Sequence, residues 1–131
     1  MARQTKGKVL IVEDEPDFVR LIQYTFQKEG FRVLAAGDAE SGLEIARKQA
    51  PDLIILDVML PGMDGLEFCR QIRRETQVPI MFLTAKKSEQ DRLLSEKLGA
   101  NAYVTKPTSV RELLDKAKAL IECTLQRSPQ P

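Results

Sequence analysis

Five short apolar runs recur along the chain, at residues 9–12, 33–36, 53–56 and 80–83, with a weaker one at 102–104. Each is strand length, rich in β-branched residues, and lacks the apolar/polar alternation of a half-exposed strand. That pattern suits a parallel sheet covered by helices on both faces. The segments between the runs follow a different period. Phe18, Leu21, Ile22 and Phe26 recur at helical spacing, as do Val110, Leu113, Leu114, Ala117, Leu120 and Ile121. Residues 39–49, 64–74 and 88–98 are less strongly patterned but helical in composition, with stop signals at Pro51, Val78-Pro79 and Gly99; Gly30 closes the first helix. Five β-α units in strict alternation predict an α/β (βα)5 three-layer sandwich with right-handed crossovers and a five-stranded parallel sheet. The pattern leaves strand order open.

A chain of 131 residues fits one domain. Residues 1–7 are polar and basic without periodicity and read as a flexible N-terminal arm, residues 8–125 as the folded domain, and residues 126–131, ending in Ser128-Pro129-Gln130-Pro131, as a C-terminal tail or the start of a linker. Twenty basic residues balance nineteen acidic ones, so no global field favours nucleic acid or an anionic membrane. Neither a membrane-length apolar run nor a secretory leader is present, and Cys69 and Cys123 form no CxxC pair, which together suggest a reducing cytoplasm. Histidine is absent. Its absence removes every Ser/His and Cys/His nucleophile pairing and leaves carboxylates, hydroxyls and lysine to carry any chemistry.

In an open parallel sheet, reactive groups sit beyond the carboxyl ends of the strands. The first run leads into Glu13-Asp14-Glu15, the third into Asp57, the fourth into Thr84-Ala85 and the fifth into Thr105-Lys106-Pro107. The second leads into Ala36-Gly37, which carries nothing reactive. Parallel strands bring these groups to one edge although they span nearly the whole chain. Carboxylates converging there repel one another unless a cation intervenes. Oxygen ligands without histidine or a cysteine cluster select a hard ion, Mg²⁺ before Ca²⁺. Lys106 adds a second positive charge and Thr84 a hydroxyl donor. A carboxylate surrounded by metal, amine and hydroxyl is suited to forming an aspartyl-phosphate.

The stretches "VLIVEDEPDF", "PDLIILDVMLPGMDGLEFCRQIR", "VPIMFLTA" and "LGANAYVTKP" resemble the signature regions of response-regulator receiver domains of two-component signalling, over residues from about 8 to 122. The resemblance implies the flavodoxin-like strand order 2-1-3-4-5. It also implies that Asp57 is the phosphoacceptor, that Asp14 binds Mg²⁺ directly and Glu13 through a water, and that Met59 offers the metal its backbone carbonyl. Thr84 then follows the phosphoryl group, Lys106 pairs with it, Tyr103 reports the switch by its rotamer, and the Lys106-Pro107 bond is cis. A domain of this kind catalyses only its own phosphorylation and dephosphorylation. Its expected partners are a sensor histidine kinase or phosphotransfer protein as donor, and an output domain or downstream protein reading the face formed by helix 4, strand 5 and helix 5. Direct nucleic-acid binding and membrane association are not expected. The resemblance extends to a phosphorylation-dependent homodimer, but Asn101-Ala102 stands where one dimerising subfamily has an Asp-Asp, which counts against symmetric pairing on that face. Glu13 replaces the commoner aspartate, and Thr108 a frequent phenylalanine.

Other readings compete. Glu13-Asp14-Glu15 alone suits a helix N-terminus, where acids favour the macrodipole; Thr84 alone suits a helix cap, and Lys86-Lys87 a solvated loop. An aspartate-nucleophile phosphatase would want a second acid two residues after Asp57, where Met59 stands. A dinucleotide site would want glycines where "VEDEPD" places acids. A phosphorylation-independent scaffold of the same fold is disfavoured because every residue the chemistry needs is present.

Overall fold

The computed structural model describes residues 6–126, with side chains described to Cys123. In chain order the elements are β1 (Gly7–Val12), α1 (Pro16–Lys28), β2 (Phe31–Ala36), α2 (Ala39–Gln49), β3 (Leu53–Leu56), α3 (Gly65–Arg73), β4 (Ile80–Thr84), α4 (Glu89–Lys97), β5 (Ala102–Thr105) and α5 (Val110–Gln126). The strands form one parallel sheet in the order β2-β1-β3-β4-β5. This is the flavodoxin-like arrangement, whose strand order reverses between β1 and β3. β1 begins at Gly7, and the Lys6 amide donates to the Gly30 carbonyl at 3.0 Å. Gln126 is the last described residue of α5; residues 1–5 and 127–131, which include most of the expected arm and tail, lie outside the described residues.

Period-two alternation divides the core into two layers. Leu10, Val12, Ile54, Leu56, Ile80 and Phe82 face α2 and α3, where they meet Leu43, Ala46, Phe68, Cys69 and Ile72. Val9, Ile11, Leu53, Ile55, Met81 and Leu83 point the other way, onto Ile22, Phe26, Leu113, Leu114, Ala117 and Ile121 of α1 and α5. Burying each of the large side chains contributes about 1.5–3 kcal/mol, which makes β1, β3 and β4 the rigid floor on which the site is built.

Two strands depart from the expectation of burial on both faces. β2 alternates, with Phe31, Val33 and Ala36 buried while Arg32 and Ala35 are exposed, and no residue of β5 is fully buried. Both are edge strands, and edge position is a property of the sheet rather than of either segment. α4 is the least anchored helix: only Ser95 is buried within it, and Leu93 and Leu94 are 46% and 40% exposed. Helix starts are capped locally, by Asp38 for α2, Asp64 for α3 and Ser88 for α4, each accepting from an amide three residues on. The cap at the fourth helix is therefore Ser88, and Thr84 remains in the strand.

Candidate functional site

Register delivers the strand ends to one level. Val12 pairs with Leu56 and Thr84 with Thr105. Just beyond, the Asp57 amide donates to the Val12 carbonyl at 3.1 Å, and the Lys106 amide to the Thr84 carbonyl at 2.8 Å. The sheet ladder therefore continues for one bond past the regular strands, and it fixes the backbones of Asp57 and Lys106 where their side chains converge.

Asp57 is buried at 6% exposure, and Oδ1 accepts from the Met59 amide at 2.9 Å in a local turn that sets the carboxylate's orientation. The Met59 side chain itself is 58% exposed. Glu13 is buried at 3% and Asp14 is exposed. One oxygen from each of Glu13, Asp14 and Asp57 lies within 4.8 Å of the other two, an all-oxygen donor set that matches a hard divalent cation. A cleft of about 440 Å³ opens beside them, lined in part by Glu13, Asp14, Pro16 and Gly37.

Lys106 supplies the opposing charge. Its Nζ lies 2.8 Å from Glu15 Oε1, 2.9 Å from Glu13 Oε1 and 3.4 Å from Asp57 Oδ2, and 5.2 Å from the centre of the Phe18 ring. Burial alone would lower the ammonium's pKa, but the bonds to Glu15 and Glu13 and the charges of Glu13 and Asp57 outweigh it and raise the pKa, so Lys106 stays charged. Glu13 is raised, chiefly by burial, against the lowering effect of Lys106. Glu15 is lowered by its bond to Lys106. The Lys106-Pro107 bond is cis.

Thr84 is fully buried at the end of β4, and its Oγ1 accepts from the Lys86 amide at 3.2 Å. The Tyr103 hydroxyl donates to the Lys86 carbonyl at 2.8 Å, and the ring packs on Phe82 with centroids 6.1 Å apart. Lys86 Nζ pairs with Asp91 Oδ2 at 2.8 Å, on the first turn of α4. Lys86, taken from the sequence as a solvated loop residue, thus links Thr84, Tyr103 and α4. Its backbone role carries no side-chain signature, and its ion pair joins a loop to a helix whose approach the sequence pattern does not specify. The structure therefore brings together Glu13, Asp14, Asp57 and Lys106, with Thr84 and Tyr103 joined through the β4–α4 loop. It adds Glu15, Phe18, Lys86 and Asp91 to the site's surroundings. Glu15 was legible both as one of the strand-end acids and as a helix-start acid, without a role of its own, and it does immediately precede Pro16, the first residue of α1.

A doubly wound α/β domain with an acidic, cation-compatible cluster at the point where its strand order reverses belongs to the class that binds or transfers groups at a switch point. Comparison with known proteins gives the family. Residues 9–118 match the model of the response regulator receiver domain, and the chain belongs to that family. It is similar to the receiver domain of the Francisella response regulator 1452, at 28% identity and TM-score 0.86, over 91% of this chain and 99% of that one. It is also similar to the BeF3-activated N-terminal receiver domain of RstA from Klebsiella pneumoniae, at 34% identity and TM-score 0.82, over 87% and 97% of the two chains. A CheY-like receiver domain protein from Methanospirillum hungatei superposes with TM-score 0.90 at 26% identity, over 95% of this chain and all of that one. The chain is thus the receiver domain of a two-component response regulator. Among the described residues no helix is long and apolar enough to cross a membrane.

Proposed function

We propose that the domain is a phosphorylation switch in which Asp57 accepts a phosphoryl group from the phosphohistidine of a sensor kinase or phosphotransfer protein, or from a small acyl phosphate. The observation that carries this reading is the convergence of Glu13, Asp14 and Asp57 within 4.8 Å, with Lys106 Nζ against the same carboxylates. An Asp57 oxygen attacks phosphorus, the bond from phosphorus to the donor breaks, and the imidazole or carboxylate leaves with that electron pair. Asp57 Oδ2 is the better placed oxygen, since Oδ1 is engaged by the Met59 amide while Oδ2 makes only the long contact to Lys106.

Asp14 and Asp57 would hold Mg²⁺ directly, Glu13 through a water, and Met59 by its carbonyl. When bound, the ion supplies positive charge to the oxygens of the phosphoryl group. Lys106 compensates charge on the same group from the β5 side, and the Thr84 hydroxyl donates to it once the β4–α4 loop moves toward Asp57. The phosphoryl group taken from the donor ends on the domain's own Asp57.

The phosphoryl group carries a charge of about −1.5 to −2 where the Asp57 carboxylate carried −1. Thr84 is tied to the Lys86 amide and Tyr103 to the Lys86 carbonyl, so displacement of this loop is felt on β5 and at Asp91 on α4. The face of α4, β5 and α5, with Leu93 and Leu94 exposed, is the surface an output domain or partner would read. Moving its population from 1% to 99% needs roughly 5.5 kcal/mol of differential stabilisation. Hydrogen exchange tests the coupling: beryllofluoride with Mg²⁺ should alter amide protection in residues 84–105 of the wild type and leave Asp57→Asn unaltered. No change in the wild type, or an equal change in the variant, would refute the switch.

A further inference from the structure

An ammonium has three N–H donors, and in Lys106 all three face carboxylates. The two short contacts go to Glu15 and Glu13, at 2.8 and 2.9 Å, and the contact to Asp57 is the long one at 3.4 Å. These acids differ in their freedom to let go. The Glu13 and Asp57 side chains are 2% and 8% exposed, whereas that of Glu15 is 64% exposed. Glu15 stands at the start of α1 without capping it through its side chain, so letting go of Lys106 does not uncap the helix. Its backbone is held in place, the amide donating to Glu13 Oε2 at 3.2 Å.

When Asp57 Oδ2 is esterified, the donor facing it passes to the phosphoryl group, and any second phosphoryl oxygen within reach of Nζ must take a donor from Glu13 or Glu15. Releasing a buried carboxylate leaves a charge unpaired in a low dielectric, while releasing an exposed one returns it to water. We propose that Glu15 is a displaceable partner that parks Lys106 in the resting domain and gives it up when Asp57 carries a phosphoryl group. Glu15 thereby sets how readily the site accepts and keeps that group. It is a positioning residue, acting through Lys106 and not on the phosphoryl group. The inference rests on the reading of Asp57 as phosphoacceptor and of Lys106 as the amine that meets the phosphoryl oxygens.

The test is a beryllofluoride titration followed by ¹⁹F NMR at saturating Mg²⁺, on wild type, Glu15→Gln and Glu15→Asp, each with and without Lys106→Ala. Glu15→Gln removes the charge; Glu15→Asp keeps it beside the acidic cluster on an arm one methylene shorter. Both variants should bind beryllofluoride about 2- to 5-fold more tightly, the range expected for releasing a solvent-exposed ion pair. The gain should vanish in the Lys106→Ala background. If that background binds too weakly to titrate, the ¹⁵Nζ resonance of Lys106 gives the same reading, since Glu15→Gln should displace it in the resting domain but not in the beryllofluoride complex. Unchanged or weaker binding in Glu15→Gln would overturn the inference. So would tighter binding in Glu15→Gln with wild-type behaviour in Glu15→Asp, which would assign the effect to net charge. Failure of the wild type to bind beryllofluoride at all would instead sink the phosphoacceptor reading itself, and the two failures are told apart by that first titration.

Discussion

Gly65 offers the sharpest test of how the fold holds Asp57. It is the first residue of α3, its amide donates to the Val58 carbonyl at 2.9 Å, and it packs against the backbone that leaves β3. A Cβ at this position would run into the Asp57 carbonyl oxygen and would lie 2.9 Å from Val58 Cα and 3.1 Å from the Asp57 carbonyl carbon. Carbon atoms rest at about 3.5–4.0 Å, so Gly65→Ala forces α3 and the Asp57 segment apart by nearly 1 Å. Backbone atoms cannot rotate out of the way as a side chain can. The cost falls near the upper end of the overpacking range, about 3 kcal/mol, offset by up to about 1 kcal/mol from replacing glycine at a helical position. A net loss of about 2 kcal/mol should lower Tm by roughly 5–10 °C. Far-UV circular dichroism melts measure that shift, and labelling by acetyl phosphate should slow in parallel because Asp57 has moved. Gly37→Ala is the control: nothing lies within 4 Å of its Cβ position, and its Tm should stay within about 2 °C of wild type. A Gly65→Ala protein that melts and labels like wild type would refute the close approach on which Asp57's placement depends.

Metal-free Asp57→Asn should be more stable than wild type by about 0.5–1 kcal/mol, because it removes one of three clustered carboxylates while keeping the oxygen that accepts from Met59; its Mg²⁺-induced rise in Tm should shrink, and a lower metal-free Tm would contradict this. Asn101 Oδ1 accepts from the Ile80 amide at 2.9 Å and from Arg73 Nη2 at 3.1 Å, so Asn101→Ala should cost about 1–3 kcal/mol in denaturant melts without altering acetyl phosphate labelling of the folded protein; a silent substitution would show that these bonds contribute nothing. Cys123 is exposed and Cys69 is buried with its thiol pKa raised by that burial, so a maleimide should modify Cys123 in the native protein and Cys69 only on unfolding; equal native reactivity would contradict the packing of α3.

The parts of this domain that were legible beforehand are those that one segment encodes by itself. β3 reads as a buried strand because Leu53, Ile54, Ile55 and Leu56 are all apolar, and α1 reads as a helix because Phe18, Ile22 and Phe26 fall on one face. The acids, Thr84 and Lys106 could be placed on one edge because parallel strands deliver their carboxyl ends together. Strand order came only through resemblance to a family, since the apolar pattern hints at an edge strand only in the weaker run of β5 and says nothing of which strands are neighbours. Pairings across the fold were hidden as well. Glu15 could be placed on the same edge as Lys106, but its direct reach to the ammonium depends on how α1 leaves the sheet beside a loop 91 positions away. Lys86 lies in an exposed loop as its sequence context suggested, but its pairing with Asp91 arises only once Ser88 starts α4. The need for glycine at position 65 lies in a contact between backbones, which has no residue pattern of its own.

Mapping the site of phosphorylation tests the central claim most directly. Incubation with acetyl phosphate and Mg²⁺, borohydride reduction of the acyl phosphate and peptide mass spectrometry should convert Asp57, and no other residue, to homoserine; a chelator or Asp57→Asn should abolish the product. Reduction at another carboxylate, or a phosphoryl adduct that persists in Asp57→Asn, would contradict the account.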